Sequence, residues 1–233
     1  MHIFLHIPKC DGSTIRQLYY QAFERVLLVQ ANGDIDSSAF PALPDLNAYD
    51  AVIGHLQVRH MIQHPGVMAL DPVLHSVIRD PIDRLISLWN FIRVYPSHRL
   101  HAKAKQTTGV QFVMSQAQNQ QADFLGLGKL FDSIPDIIDR VTCVPLEQSV
   151  DYFSAYFSDR VPPTTERIKI TNTTPQKKEF SINRDSFSKA QLSELLDRHA
   201  TDLELLASCR AVYDRTRETI VTARKSPQSS LRA

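Results

Sequence analysis

The fold is decided by residues 4–14, which read Phe4-Leu5-His6-Ile7-Pro8-Lys9-Cys10-Asp11-Gly12-Ser13-Thr14. The apolar run that stops at Pro8 predicts a buried strand. The apolar residues that follow, Ile15, Leu18 and Tyr19, have the spacing of a helix face. The stretch therefore predicts a strand, a tight turn and the N-terminus of a helix.

The residues of this turn are suited to binding an anion. A helix N-terminus has unpaired backbone N–H groups and a partial positive charge. Gly12 lets the backbone approach a ligand closely, Ser13 and Thr14 can cap the helix or donate to an anion, and Lys9 adds a full charge. The nucleoside triphosphate pattern G-x-x-x-x-G-K-[ST] is absent, because the lysine here precedes the glycine. An ordinary strand-to-helix turn is the alternative interpretation.

A second anion site is predicted where another apolar run ends at Arg79. Pro81 suits the first turn of the helix that follows, and Ser87 lies eight residues after Arg79. The long Arg79 side chain can fold back over that helix, so that it and Ser87 bind one phosphate. The alternative is that Arg79 pairs with Asp80 or Asp83.

Strands and helices alternate along the chain. Strands are predicted at 26–29, 51–55, 73–79 and 141–146, with a possible edge strand at 167–170; helices are predicted at 81–95, within 98–121, at 148–157 and within 188–212. This alternation predicts an α/β fold, in which helices flank a central parallel sheet and the ligand lies beyond the carboxyl ends of the strands. We expect one domain over residues 1–222 and a disordered tail at 223–233.

Composition excludes several classes of protein. The 233 residues carry a formal net charge of +1, which argues against a nucleic-acid surface. The three cysteines have no C-x-x-C spacing, so neither a disulfide scaffold nor a zinc ribbon is expected. His60 and His64 have the i, i+4 spacing that could place two metal ligands on one helix face, but the glutamate of H-E-x-x-H is missing, and we expect no metal. Without a leader or a membrane-length apolar run, the expected location is the cytoplasm.

The two anion motifs resemble those of a known family. Residues 6–14 are similar to the 5′-phosphosulfate loop, H-I-P-K-[TC]-[GA]-G-[TS]-[ST], of carbohydrate sulfotransferases that use 3′-phosphoadenosine 5′-phosphosulfate (PAPS). Residues 79–87 are similar to their 3′-phosphate motif, R-D-P-x-x-R-x-x-S. Gly54-His55 resembles the pair that supplies the base in the uronyl 2-O-sulfotransferase branch. Weaker similarities follow at 119–126, 146–150 and 172–178.

The resemblance implies a P-loop-like sulfotransferase fold and transfer of a sulfuryl group from PAPS to a hydroxyl, most simply of a carbohydrate. It implies His55 as the base and Lys9 as the cation that stabilises developing charge. The implied donor-binding residues are Lys9, Cys10, Asp11, Gly12, Ser13, Thr14, Arg79, Ser87, Thr174 and Lys177. No metal is needed by this chemistry.

The sequence departs from the family pattern at Asp11 and in the Gln-rich motif, where Ala122 and Asp123 stand in place of an Arg, and the first departure matters more. Asp11 stands where the family has Gly or Ala, which predicts a carboxylate beside the sulfuryl group. Two alternatives therefore stay open: a non-catalytic nucleotide-binding protein of the same fold, or another P-loop-like phosphoryl or nucleotide enzyme. The expected partner is a hydroxylated acceptor, and the sequence predicts no oligomeric state.

Overall fold

The sheet of this protein is parallel throughout. The computed structural model describes residues 1–29, 45–58, 65–160 and 180–225. The strands are β1 (His2–Leu5), β2 (Val26–Val29), β3 (Ala51–Gly54), β4 (Val73–Ile78) and β5 (Val141–Pro145). Their order across the sheet is β2-β3-β1-β4-β5. The α/β prediction is confirmed, and all five strands predicted inside the described ranges are present; the possible strand at 167–170 lies outside them.

Helices fill the connections between the strands. They are α1 (Gly12–Ala22), α2 (Pro65–Met68), α3 (Pro81–Val94), α4 (His101–Lys105), α5 (Gly109–Met114), α6 (Gln120–Phe124), α7 (Ile134–Arg140), α8 (Ser149–Tyr156), α9 (Lys189–Arg198) and α10 (Ala200–Lys225). Short 3-10 turns lie at Leu46–Ala48, Leu146–Gln148 and Arg184–Ser186. Residues 223–225, predicted to belong to the tail, continue α10.

Local sequence explains where several helices begin. Asp80 caps α3 by accepting hydrogen bonds from the N–H groups of Ile82 and Asp83, and Pro81 occupies the first turn. Ser188 and Gln191 form a capping box at the start of α9. These caps satisfy backbone donors that a helix end otherwise leaves unpaired.

Two hydrophobic clusters hold the described part of the chain together. The larger one joins the sheet to α1, α8 and α10. The second surrounds α3, where Trp89 packs with Phe112 of α5 and Phe187. The larger cluster reaches the carboxyl ends of β1 and β4, where Leu5 and Ile78 are fully buried.

The strand order places a crevice between β1 and β4. The chain leaves β1 toward β2 on one side of the sheet, whereas it leaves β4 toward β5 on the other. In open α/β sheets such a reversal of direction marks the ligand site. The loop after β1 and Arg79 after β4 are the two motifs predicted to bind anions, and they lie at this crevice.

Candidate active site

A direct hydrogen bond joins the two motifs. The Arg79 guanidinium donates through Nη1 to the carbonyl oxygen of Lys9 at 3.2 Å. Buried Arg84 reaches the same loop, donating to the carbonyl of Pro8 at 3.5 Å. The carboxylates of Asp80 and Asp83, which the alternative paired with Arg79, instead form ion pairs with the half-exposed Arg184.

Gln121 of α6 fixes the position of Arg79 within the site. Its Oε1 accepts from the backbone N–H of Arg79 at 3.0 Å, and its Nε2 donates to the Arg79 carbonyl at 2.7 Å. The same Oε1 accepts from the thiol of Cys10 at 3.5 Å. Because Gln121 is fully buried, these bonds have no competing water. One amide side chain therefore connects the end of β4 to the loop after β1.

Asp202 of α10 holds α6 in place. Its carboxylate accepts from the backbone N–H of Gln121 at 3.2 Å and of Ala122 at 2.8 Å. Burial raises the pKa of Asp202, and these two hydrogen bonds together with the Arg84 charge oppose that rise. Sequence reasoning missed Asp202 and the role of Gln121; the only signal was the weak similarity at 119–126.

The loop after β1 has an unusual backbone. Lys9 and Asp11 both have positive φ, at 70° and 52°, a region that L-residues other than Asn and Asp rarely occupy. The loop closes on itself, since the N–H of Cys10 donates to the carbonyl of Ile7 at 3.1 Å. Cys10 is fully buried, and burial raises the pKa of its thiol to about 12. Helix α1 then begins at Gly12 with Ser13 in its first turn.

The Asp11 side chain is turned to buried hydroxyl groups. Its Oδ1 accepts from the hydroxyl of Thr14 at 2.5 Å, and the hydroxyl of Ser149 at the start of α8, which donates to the carbonyl of Leu146 at 2.9 Å, lies close by. Burial raises the pKa of Asp11, against the lowering effect of these hydroxyls and of Arg79. The backbone conformation explains the residue type, because aspartate tolerates the left-handed region that glycine occupies freely.

Lys9 lies against an aromatic ring of α3. Its Nζ is 4.0 Å from the centre of the Phe91 ring, which is a cation–π contact. Burial, and then the charge of Arg79, lower the pKa of Lys9 to about 8. Phe91 in turn packs on Tyr95, with ring centres 4.3 Å apart. Ser87 lies one turn earlier on α3 and is half-buried.

His55 follows β3 and is held in one tautomer. Its Nδ1 lies 2.9 Å from the carbonyl oxygen of His6, and since a carbonyl only accepts, Nδ1 carries the proton. Nε2 is then the basic nitrogen. Burial lowers the pKa of His55 below 6.5, so the ring is neutral at pH 7. The His6 ring stacks on it with centres 4.4 Å apart.

The remaining predicted site residues, Thr174 and Lys177, lie outside the described residues. Within the described ranges, no cluster of three or more His, Cys, Asp or Glu side chains could hold a metal ion. None of the helices in that same part of the chain is both long and apolar enough to cross a membrane. All three cysteines are free and buried.

Comparison with solved structures relates this architecture to a known enzyme. The chain is similar to the crystal structure of mouse sulfotransferase SULT7A1 complexed with PAP, with a TM-score of 0.53 and 13% sequence identity. The match covers 93% of this chain and 88% of that one. The chain has the sulfotransferase fold. No family model and no curated protein matches the sequence. At this identity, the likeness concerns the fold alone.

Proposed function

We propose that this protein is a sulfotransferase that moves a sulfuryl group from PAPS to an acceptor hydroxyl. The observation that carries the proposal is the bond from Arg79 to the Lys9 carbonyl, which joins two anion motifs at the crevice of a sheet with the sulfotransferase fold. A nucleotide with charged groups at both its 5′ and 3′ positions needs two such motifs, whereas AMP needs one.

In the proposed reaction the acceptor oxygen attacks sulfur in line. A new O–S bond forms while the S–O bond to the 5′-phosphate breaks, and adenosine 3′,5′-bisphosphate (PAP) leaves with the electron pair. The acceptor proton passes to Nε2 of His55, the nitrogen left free by the bond from Nδ1 to His6. His55 suits this role because it is neutral at pH 7 and its ring cannot rotate without breaking that bond.

Lys9 and the start of α1 bind the 5′ end of the donor. Lys9 moves from Phe91 to the bridging oxygen, where its ammonium stabilises the charge that develops as the bond to sulfur breaks. The cost of this movement is one cation–π contact, about 0.5–1 kcal/mol at a part-exposed site. Gly12 and Ser13 at the N-terminus of α1 bind the 5′-phosphate, and Arg79 with Ser87 binds the 3′-phosphate.

The proposed acceptor is a carbohydrate. Phe91, Tyr95 and His98 are half-buried aromatic rings beside Lys9, and such rings stack against the C–H face of a sugar. No Asp or Glu occurs between Arg84 and Ala122 in the sequence, so an acidic sugar would meet no opposing carboxylate from this stretch. A transfer screen with sulfur-labelled PAPS over acidic and neutral glycans, phenols and lipid alcohols identifies the acceptor.

Calorimetry with PAP, ATP and AMP tests the proposed donor. We expect PAP to bind at least tenfold more tightly than either of the others, because only PAP carries both a 5′- and a 3′-phosphate. Preference for ATP contradicts the proposal and favours another P-loop-like phosphoryl or nucleotide enzyme. Tight binding of PAP with no transfer from PAPS to any acceptor identifies a non-catalytic nucleotide-binding protein. The cytoplasmic location stays a prediction.

A further inference from the structure

His6 connects the anion loop to the histidine base. Its ring lies so close to Gly12 that a Cβ atom added there would be 2.0 Å from His6 Nε2. The His6 ring also stacks on the ring of His55, with centres 4.4 Å apart and planes inclined by 24°. A single imidazole therefore touches both the first residue of α1 and His55.

The backbone of His6 also hydrogen-bonds to the residues at the end of β3. Its N–H donates to the carbonyl of Gly54 at 2.8 Å, and its carbonyl accepts from His55 Nδ1 at 2.9 Å. The Phe4 ring lies nearly parallel to the His6 ring, at an angle of 14° with centres 6.1 Å apart. Three rings, those of Phe4, His6 and His55, thus form a column that runs from the core to the site.

We infer that His6 is a positioning residue, whose ring sets the distance and the plane of the His55 imidazole relative to the anion loop at Gly12. This inference rests on the proposed function, in which sulfur is bound at the loop and the acceptor proton goes to His55. The hydrogen bond from Nδ1 fixes rotation of the His55 ring about its own axis, whereas stacking fixes the tilt and the spacing. Only the second contact depends on the His6 side chain.

The neutral state of the His6 ring suits this role. The titratable and charged groups that face it are His55 after β3, Lys9 in the loop and Arg16 on α1. Burial, followed by these three groups, lowers the pKa of His6 to about 3, so the ring is neutral throughout the working range of the enzyme. A neutral ring can stack on the His55 imidazolium that forms during transfer, whereas a second cation at 4.4 Å would oppose its formation.

The inference is tested with the variant His6→Ala. Its effect is measured on the NMR signals of the His55 ring and on the rate of sulfuryl transfer. Removal of the stacked ring admits water to His55, so its pKa, read from imidazole nitrogen NMR signals, should rise toward 6.5. We expect kcat to fall at least tenfold, while the Kd for PAP changes less than twofold. Val141→Ala, a truncation of a buried residue at the far end of β5, provides the matched control for lost stability and should change neither value.

Gly12→Ala tests the same contact from the other side, since its Cβ must displace the His6 ring. We expect the His55 signals to move in this variant too, even if His6→Ala fails to fold. Unchanged His55 signals in a folded variant overturn the inference, as does a loss of PAP affinity in His6→Ala as large as the loss of kcat. If the wild-type protein transfers no sulfuryl group, the proposed function fails, and the NMR response alone decides whether His6 positions His55.

Discussion

Arg79 donates a hydrogen bond from Nη1 to the carbonyl oxygen of Lys9, at 3.2 Å, and so ties the end of β4 to the loop after β1. The bond holds Lys9 in its left-handed backbone conformation. Among the described residues the Arg79 guanidinium makes no further hydrogen bond, so its other N–H groups can bind a ligand. Arg79 thus has two functions, one in loop geometry and one in anion binding.

We predict that Arg79→Ala weakens PAP binding by about 1.5–3 kcal/mol, the usual loss for a hydrogen bond to a charged group. In calorimetry this is about tenfold to more than a hundredfold in Kd. AMP, which lacks the 3′-phosphate, should lose less affinity than PAP. Arg140→Ala removes the same charge from an exposed position on α7 and should leave the Kd unchanged. Equal losses for PAP and AMP would mean that Arg79 does not bind the 3′-phosphate.

Lys9 should make binding depend on pH. Because its pKa is lowered to about 8, Lys9 is charged at pH 7 and loses that charge as the pH rises through 8. The phosphate groups of PAP are already ionised there, since their second pKa is about 6. We therefore expect the affinity for PAP to fall between pH 7 and 9, and the fall to disappear in Lys9→Arg, which stays charged. An identical pH dependence in both proteins would contradict this assignment.

His55→Ala should lower the rate of sulfuryl transfer without weakening PAP binding. Loss of a general base costs about 10²–10⁴-fold in rate, whereas PAP does not need the imidazole, so its Kd should change less than twofold. In the wild-type protein, kcat/KM should rise as the pH passes the lowered pKa of His55, because the neutral ring is the active form.

His101→Ala is the matched control for His55→Ala, since His101 also places Nδ1 against a backbone carbonyl, that of Ile92 at 2.7 Å. It should transfer at the wild-type rate. Transfer that survives in His55→Ala would place the base elsewhere.

Local patterns in the sequence account for most of the fold. Four of the five strands follow from apolar runs that end in Pro, Gly or Arg, and α3 follows from Asp80-Pro81 and the spacing after it. Strand order does not follow from such patterns, because it depends on which distant segments pair. The contacts of Gln121 are of the same kind: its partners, Cys10, Arg79 and Asp202, are 111, 42 and 81 residues away.

The site shows the same division between local and distant information. Lys9, Gly12 and Arg79 could be proposed from the sequence because an anion site needs these residue types at strand ends, and their role in binding stays a prediction. No local pattern in the sequence indicates a role for the His6 ring, since its contact with Gly12 exists only once the turn is folded. Asp11 is expected beside the sulfuryl group, and no local pattern indicates that its carboxylate accepts a hydrogen bond from the Thr14 hydroxyl.

Gln121→Ala should lower stability, because it leaves the N–H and carbonyl of Arg79 and the Cys10 thiol without their buried partner. We expect a loss of about 2–4 kcal/mol, or about 5–15 °C in the melting temperature of a chain of this length. Gln111→Ala, which removes an exposed helix cap, should cost about 1 kcal/mol or less. A melting temperature for Gln121→Ala within 1 °C of the wild-type value would show that the buried amide is dispensable.

Asp11→Gly and Asp11→Asn should both bind PAP more tightly than the wild-type protein. Each removes a carboxylate from a loop proposed to bind phosphate, and about 1 kcal/mol of relieved repulsion corresponds to about fivefold in Kd. Both residues accept a φ of 52°, whereas Asp11→Ala does not, so Asp11→Ala should be less stable than either.

The pH dependence of PAP binding by these variants separates the effect of the Asp11 charge from the effect of the loop's shape. Burial raises the pKa of Asp11, so acidification neutralises this carboxyl group earlier than an ordinary aspartate and relieves the repulsion in the wild-type protein. The advantage of Asp11→Asn in calorimetry should therefore shrink as the pH falls from 7 toward 5. An advantage that stays constant over this range would mean that the carboxylate acts through the shape of the loop and its bond to Thr14 rather than through its charge.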